Sequence, residues 1–202
     1  MKLFYAPGVC SLSPHIVLEE AGVPHSLVKT DIRAKTIEGG GDYTATNPLG
    51  YVPALELDDG TILTEGPAIV QYIAAKATGK NLTPPAGSVA HFQMLSWLNF
   101  ISSELHKGFS PLFNPAMPDE AKTIARERLL IRLAHVDAQL AGKDYLMGSA
   151  FTLPDAYLFT VLRWTVPLKI DLAPYSNLQA FQKRMEARPA VRAAMKVEGL
   201  IT

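Results

Sequence analysis

Apolar positions along this chain follow one rhythm up to about residue 80 and another beyond it. Lys2 to Tyr5 predicts a short strand that Ala6-Pro7-Gly8 breaks. From Ser11 the apolar positions Leu12, Ile16, Val17 and Ala21 fall at helical spacing, and Gly22 ends them; Pro14 is tolerable only in a first helical turn. His25 to Thr30 predicts a second strand, while Arg33 to Tyr43 is ambiguous around Gly39-Gly40-Gly41. Ala54–Leu57 and Thr61–Thr64 predict a hairpin about Asp58-Asp59-Gly60. A helix follows with Pro67 at its first position and Ile69, Val70, Ile73 and Ala77 on its apolar face. The order is β-α-β-(α)-β-β-α.

Gly79 to Gly87, with Pro84-Pro85-Ala86-Gly87, reads as a linker, and after it the strand pattern disappears. Val89 to Phe113 predicts one long helix. Asp119 to Leu140 predicts a second, with Ile124, Leu129, Leu133, Val136 and Leu140 along one face. Thr152 and Asp155 form the capping-box pattern ahead of an apolar run through Trp164, which predicts a buried helix. Leu178–Ala187 and Ala190–Val197 are short helices separated by Pro189. The expected architecture is an α/β domain over residues 1–80, a linker over 81–87 and an all-helical domain over 88–202.

Composition narrows the function classes. Hydrophobic residues make up 48% of the chain and charged residues 19%, enough apolar surface for a core and too little charge for a disordered chain. The formal net charge is zero and basic residues are scattered, so counterion release gives no drive toward nucleic acid. No apolar run approaches the ~20 residues that span a bilayer, and Met1 to Pro7 carries no apolar stretch with a small-residue cleavage site. The single cysteine excludes an intrachain disulfide and suits a reducing compartment, so the cytoplasm is the expected location.

The candidate chemistry begins at Asn47-Pro48-Leu49-Gly50-Tyr51-Val52-Pro53-Ala54-Leu55. A proline at the entry to a strand cannot donate to the ladder, and a cis Val52-Pro53 bond would make a tight bend. The Val52 N–H and C=O would then be free to pair with an extended peptide-like ligand. Cys10 lies between the first strand and the first helix, where a helix N-terminus lowers a thiol pKa by about one unit. Residue type alone favours a buried hydrophobic role for a lone cysteine; its placement brings the two readings level. Ser13 stands where a dithiol motif needs a second cysteine, so oxidised Cys10 would form a mixed disulfide with an outside thiol. Glu65 and Gly66 precede Pro67 at a helix start, where a carboxylate and free N–H groups can hold an ammonium and a carboxylate; an ordinary helix cap is the plainer reading. Asn99, Ser102 or Ser103, His106 and Ser110 recur at three or four residues as a polar stripe, which is either solvent-facing or a wet wall. His106 can donate to a thiolate or act as a base, and Lys107 can attract an anion. His15, His25, His91 and His135 show no metal-ligand spacing, and no metal site is expected.

Taken as an ordered set over essentially the whole chain, Tyr5-Ala6-Pro7-Gly8-Val9-Cys10-Ser11, Asn47 to Leu55, Leu63-Thr64-Glu65, His106-Lys107 and Thr152-Leu153-Pro154-Asp155 resemble the cytosolic glutathione S-transferase family, most closely its bacterial beta class. The resemblance implies a thioredoxin-like α/β N-terminal domain, an all-α C-terminal domain, a cis bond before Pro53, a homodimer and glutathione as co-substrate with no permanently bound cofactor. It implies that Cys10 contacts the glutathione sulfur, Val52 pairs with the cysteinyl backbone, Lys35 binds the glycyl carboxylate, and Glu65 and Gly66 hold the γ-glutamyl end. Asn99, Ser103, Glu104, His106 and Lys107 would line the second-domain side, with the partner subunit able to supply some of them. The family usually has serine where Gly66 stands, and Tyr5, which has an activating counterpart in other classes, has at most a minor role.

Three functions compete. The leading one is conjugation of glutathione to small apolar electrophiles, with Phe109, Phe113 and Trp164 as candidate pocket walls, although residue type alone favours plain core for each. The second is thiol-disulfide exchange or reductive dehalogenation through a Cys10–glutathione mixed disulfide. The third is non-catalytic binding of apolar ligands or of a partner protein.

Overall fold

In strand β1 (Lys2–Tyr5) the consecutive residues Leu3, Phe4 and Tyr5 are all buried, so both faces are covered and the strand reads as an apolar run after Lys2. It is the middle strand of a five-stranded sheet in a computed structural model that describes residues 1–202. Helix α1 (Leu12–Ala21) carries the chain from β1 to β2 (Ser26–Asp31), and the two strands pair in parallel, as such a crossover requires. The ambiguous Arg33–Tyr43 region becomes a two-residue strand β3 (Thr36–Ile37), antiparallel to β2, followed by a 3-10 turn over Tyr43–Ala45. Strands β4 (Ala54–Glu56) and β5 (Ile62–Thr64) complete the order β3-β2-β1-β4-β5, with β4 antiparallel to β1 and to β5. Phe4, Ala6, Tyr43, Val52 and Ala54 make one buried cluster, onto which Val9, Val28, Ile32, Ile37 and Ile62 pack. Helix α2 (Gly66–Lys76) begins two residues after β5, with Pro67 in its first turn, and packs against α1.

The chain divides into two compact units, Met1–Leu82 with Ala187–Thr202, and Thr83–Glu186. The second contains α3 (Val89–Phe100), α4 (Lys107–Phe113), α5 (Asp119–Leu140), α6 (Leu153–Leu162) and α7 (Ser176–Glu186). Helix α6 has all ten residues buried. Asp155 anchors it: Oδ2 accepts the Thr152 N–H at 2.7 Å and hydroxyl at 3.0 Å, and Oδ1 accepts the Leu146 N–H at 2.9 Å. The capping box expected from Thr152 and Asp155 is present. No helix is long and apolar enough to cross a membrane.

Two features depart from the sequence reading. The run from Val89 to Phe113 is interrupted between α3 and α4 by a π-helical turn, Ile101–His106, in which the Lys107 N–H bonds back to the Ser102 carbonyl. The last helix, α8 (Pro189–Val197), was expected with the helical domain, yet residues 187–202 pack with the first unit. The reason is its apolar face: Val191, Ala194 and Met195 are buried, α8 lies on α1, and the Arg188 guanidinium makes a bidentate pair with Glu20 at 2.6 and 2.9 Å.

Candidate functional site

In the first unit, Cys10 occupies the turn that leads into α1. The Leu12 N–H bonds to the Val9 carbonyl at 3.0 Å and the Ser13 N–H to the Cys10 carbonyl at 3.2 Å, so the chain is already coiling at the cysteine. The buried Ser11 hydroxyl accepts the Ala6 N–H and donates to the Ala6 carbonyl, both at 3.1 Å, which locks the loop around Cys10. The Gly8 N–H donates to Glu198 Oε2 at 2.8 Å, a second tie on the same loop. Neither Ser11 nor Glu198 was singled out in the sequence. Ser11 adjoins the cysteine at the helix start, whereas a contact spanning 190 residues leaves no local signal.

The Val52–Pro53 bond is cis. The Cys10 thiol is half-buried and donates to the Val52 carbonyl at 3.1 Å. This differs from the expectation that both Val52 backbone groups stay free. The physical reason is that a thiol is a donor and this carbonyl is within its reach; a thiolate has no proton to give and would release it. The bend itself is held from behind. The Tyr43 hydroxyl and the Asn47 amide both donate to the Tyr51 carbonyl, at 2.8 and 2.7 Å. Burial pushes the Tyr43 phenol up to about 12, opposed by the Asn47 hydrogen bond and reinforced by Cys10. It therefore stays a donor at neutral pH. Burial first, then Glu198 and Glu38, raises the Tyr5 phenol as well, which suits a strand residue better than a base.

Lys35 and Glu65 are two of the three non-glycine residues at positive φ, at 59° and 65°. A non-glycine residue held there costs of order 1–3 kcal/mol, and such outliers gather at binding sites. Lys35 Nζ donates to the Gly50 carbonyl at 2.9 Å and lies 5.5 Å over the Tyr51 ring. Gly50 itself stands at φ 64°, a conformation that favours glycine, and a Cβ on it would displace the Lys35 side chain from this position, with Cδ 2.5 Å away. Glu65 turns the corner from β5 into α2 in one residue and caps the helix with its carbonyl, which accepts the Ala68 and Ile69 N–H groups at 3.0 Å. Its carboxylate is left exposed. Pro67 has no N–H, so Gly66 supplies the free donor of the first turn.

The second unit holds the remaining candidates together on the π-helical turn and its flanks. Ser103 Oγ donates to the Asn99 carbonyl at 3.0 Å, and Glu104 pairs with Arg132 at 2.9 Å. Lys107 is exposed. His106 turns inward: its Nδ1 lies 2.6 Å from the Tyr157 hydroxyl and its ring stands edge-on to Trp164, with 4.8 Å between centroids. Burial, with a smaller contribution from Lys107, pushes its pKa down to about 4. The imidazole is neutral at physiological pH and carries a single proton, with the Tyr157 hydroxyl as the hydrogen-bond partner of Nδ1. Of the three aromatic residues expected to line an apolar pocket, Phe109 has no exposed surface and is core. Phe113 is exposed and Trp164 half-buried, with their rings 5.9 Å apart.

Residues 9–76 match the family described as glutathione S-transferase, N-terminal domain, and residues 100–189 match its C-terminal domain. The chain is 48% identical over 200 residues to glutathione S-transferase GstA of Escherichia coli O157:H7, covering 99% of this chain and 100% of that relative. It superposes on a ternary complex of BphK, a bacterial glutathione transferase, with a TM-score of 0.97 and 54% identity over 98% of this chain and 100% of that one. A beta-class glutathione S-transferase of Sphingomonas chungbukensis matches with a TM-score of 0.96 and 44% identity over 100% of both chains. With both family halves matched in order and relatives aligned from end to end, this chain belongs to the cytosolic glutathione S-transferase family, in its bacterial beta class, and is a transferase that takes glutathione as co-substrate.

Proposed function

We propose that the enzyme binds glutathione with its sulfur at Cys10 and its cysteinyl backbone on Val52, and conjugates it to small apolar electrophiles. The observation that carries this reading is the Cys10 thiol 3.1 Å from the Val52 carbonyl. A thiol-bearing peptide laid along Val52 would bring its own sulfur to the same place. The Val52 N–H makes no hydrogen bond within the chain and is available to such a peptide. Lys35 binds the glycyl carboxylate, and the Gly66 N–H and Glu65 carboxylate hold the carboxylate and ammonium of the γ-glutamyl end. Asn99, Ser103, Glu104, His106 and Lys107 are the ligand contacts proposed for the helical domain, with His106 as a neutral hydrogen-bonding group. The glutathione thiolate attacks the electrophilic carbon, a C–S bond forms, and the leaving group departs with its electron pair. Phe113 and Trp164 are the candidate walls for the apolar substrate. The first unit is the glutathione-binding domain, and the active form is a cytoplasmic homodimer.

A second reading rests on the partly exposed lone thiol. Cys10 thiolate would attack oxidised glutathione, forming a Cys10–glutathione disulfide and releasing one glutathione thiolate. Intact mass after incubation with oxidised glutathione, followed by a reductant, tests for that adduct, and turnover of Cys10→Ala separates the two readings. Conjugation is expected to survive in part, because the backbone contacts at Val52 and Gly66 remain, while exchange is abolished. Glutathione affinity by calorimetry and conjugation turnover both unchanged in Cys10→Ala would overturn the proposed placement of the sulfur.

A further inference from the structure

His15 is buried in α1 with no exposed surface, and the proposed chemistry does not use it. Its Nδ1 lies 2.9 Å from Glu198 Oε1, while its Nε2 has no hydrogen-bond partner. With the Nδ1 proton donated to Glu198, Nε2 is left as a lone pair inside the protein, an arrangement native structures rarely leave unanswered. Glu19 follows one helical turn later on the same face. His25 comes back toward it after the Gly22 cap, and its ring stands 6.2 Å from that of His15. His25 Nδ1 is within 2.9 Å of the Val23 carbonyl, which fixes its proton there and leaves Nε2 as the free ligand atom, 3.6 Å from Glu19 Oε1.

One donor atom from each of His15, Glu19 and His25 lies within 4.8 Å of the other two. We propose that these three residues bind a divalent transition-metal ion of borderline softness, Zn²⁺ above all, with water in the fourth position. Two imidazoles and a carboxylate are a zinc donor set, and each imidazole is held through Nδ1 by an oxygen behind it, as metal-bound histidines commonly are. A triangle of this size leaves its centre no more than about 2.8 Å from each corner, so the ligands need close by less than about 1 Å to reach zinc distances. Glu19 and His25 are partly exposed and provide an entry path from solvent. The charges also balance: the ion brings two positive charges, against the carboxylates of Glu19 and Glu198. Sequence spacing gives no hint of the site, because its third ligand comes after the helix has ended. The bound ion would fix His15 and, through it, Glu198, whose other oxygen accepts the Gly8 N–H ahead of Cys10. The site is thus structural and lies apart from the glutathione contacts.

Zinc titration of the full chain against a chromophoric chelator tests this, on wild type, Glu19→Gln, His25→Ala and Cys10→Ser. The expected result is one equivalent bound by wild type, affinity at least tenfold weaker in both Glu19→Gln and His25→Ala, and affinity within twofold of wild type in Cys10→Ser. No equivalent bound, losses below tenfold in both ligand variants, or binding abolished by Cys10→Ser alone would each overturn the proposal. Because Glu19 and His25 are partly exposed, their variants are expected to fold, with circular dichroism as the check. A zinc-soaked crystal gives an independent readout: an anomalous peak among the three side chains supports the site, and a water there or a peak only elsewhere refutes it.

Discussion

Two residues of the candidate site have properties that single substitutions can read. Gly66 stands where the family usually carries serine, and its position has room for one: a Cβ there would lie 4.0 Å from Pro53 Cγ, ordinary contact. A hydroxyl that reaches the charged γ-glutamyl end is worth roughly 1.5–3 kcal/mol, less if water already serves it. Gly66→Ser should therefore tighten glutathione binding by about tenfold or more, read by calorimetry, and equal dissociation constants would remove the hydroxyl from the account. His106 gives a pH test. Its folded pKa of about 4 lies below the ordinary value of 6.5, so between those values the unfolded chain takes up a proton that the folded chain refuses. The stabilisation is in place above pH 6.5 and is lost as the pH falls toward 4, up to about 3 kcal/mol in all. Urea unfolding from pH 7.5 down to 4.5 should show a steeper loss for wild type than for His106→Gln. Parallel curves would mean that the imidazole titrates alike in both states.

At the scale of the element, α6 depends on one carboxylate. Asp155 is fully buried and accepts from the Leu146 N–H, the Thr152 N–H and the Thr152 hydroxyl. Asp155→Ala leaves those donors buried and unpaired, at about 1–3 kcal/mol for each backbone group. The expected loss is about 3 kcal/mol or more by chemical denaturation at neutral pH, and a loss under 1 kcal/mol would show that water replaces the carboxylate. This box was legible in the sequence because it is local, and for the same reason α5 begins and ends where its amphipathic pattern predicts. The π-helical turn was not legible, since Ile101 and Leu105 keep an ordinary i, i+4 spacing and only the backbone bond from Lys107 to Ser102 shows the wider coil. Among the candidate site residues, Cys10, Val52 and Glu65 are singled out by their own neighbours: a strand-to-helix turn, a proline bend and a helix start. Lys35 was carried by resemblance alone, because its left-handed backbone and the clearance provided by Gly50 exist only in the fold. Phe109 could be read as pocket wall or core, because an aromatic residue on a helix gives no sign of which neighbour covers it, and the fold buries it.

At the scale of the whole molecule, the first unit is not contiguous in the chain. Its sheet and first two helices are complete by Leu82, yet Ala187–Thr202 packs with them. Helix α8 buries Val191, Ala194 and Met195, pairs Arg188 with Glu20, and is followed by Glu198, the acceptor for Gly8 and His15. Burying a valine or methionine side chain is worth about 1.5–3 kcal/mol each. With the bidentate ion pair and two buried polar groups added, α8 accounts for a large part of a typical 5–15 kcal/mol stability. Removing residues 187–202 should therefore unfold the first unit although no proposed ligand contact is deleted. Met195→Ala is the graded version: its 3% exposure predicts a loss of about 2–5 kcal/mol in urea, with the glutathione dissociation constant unchanged wherever the chain is still folded. A truncated chain that keeps the wild-type melting profile, together with a Met195→Ala loss below 1 kcal/mol, would show that the N-terminal unit is self-sufficient and that α8 only rests on it.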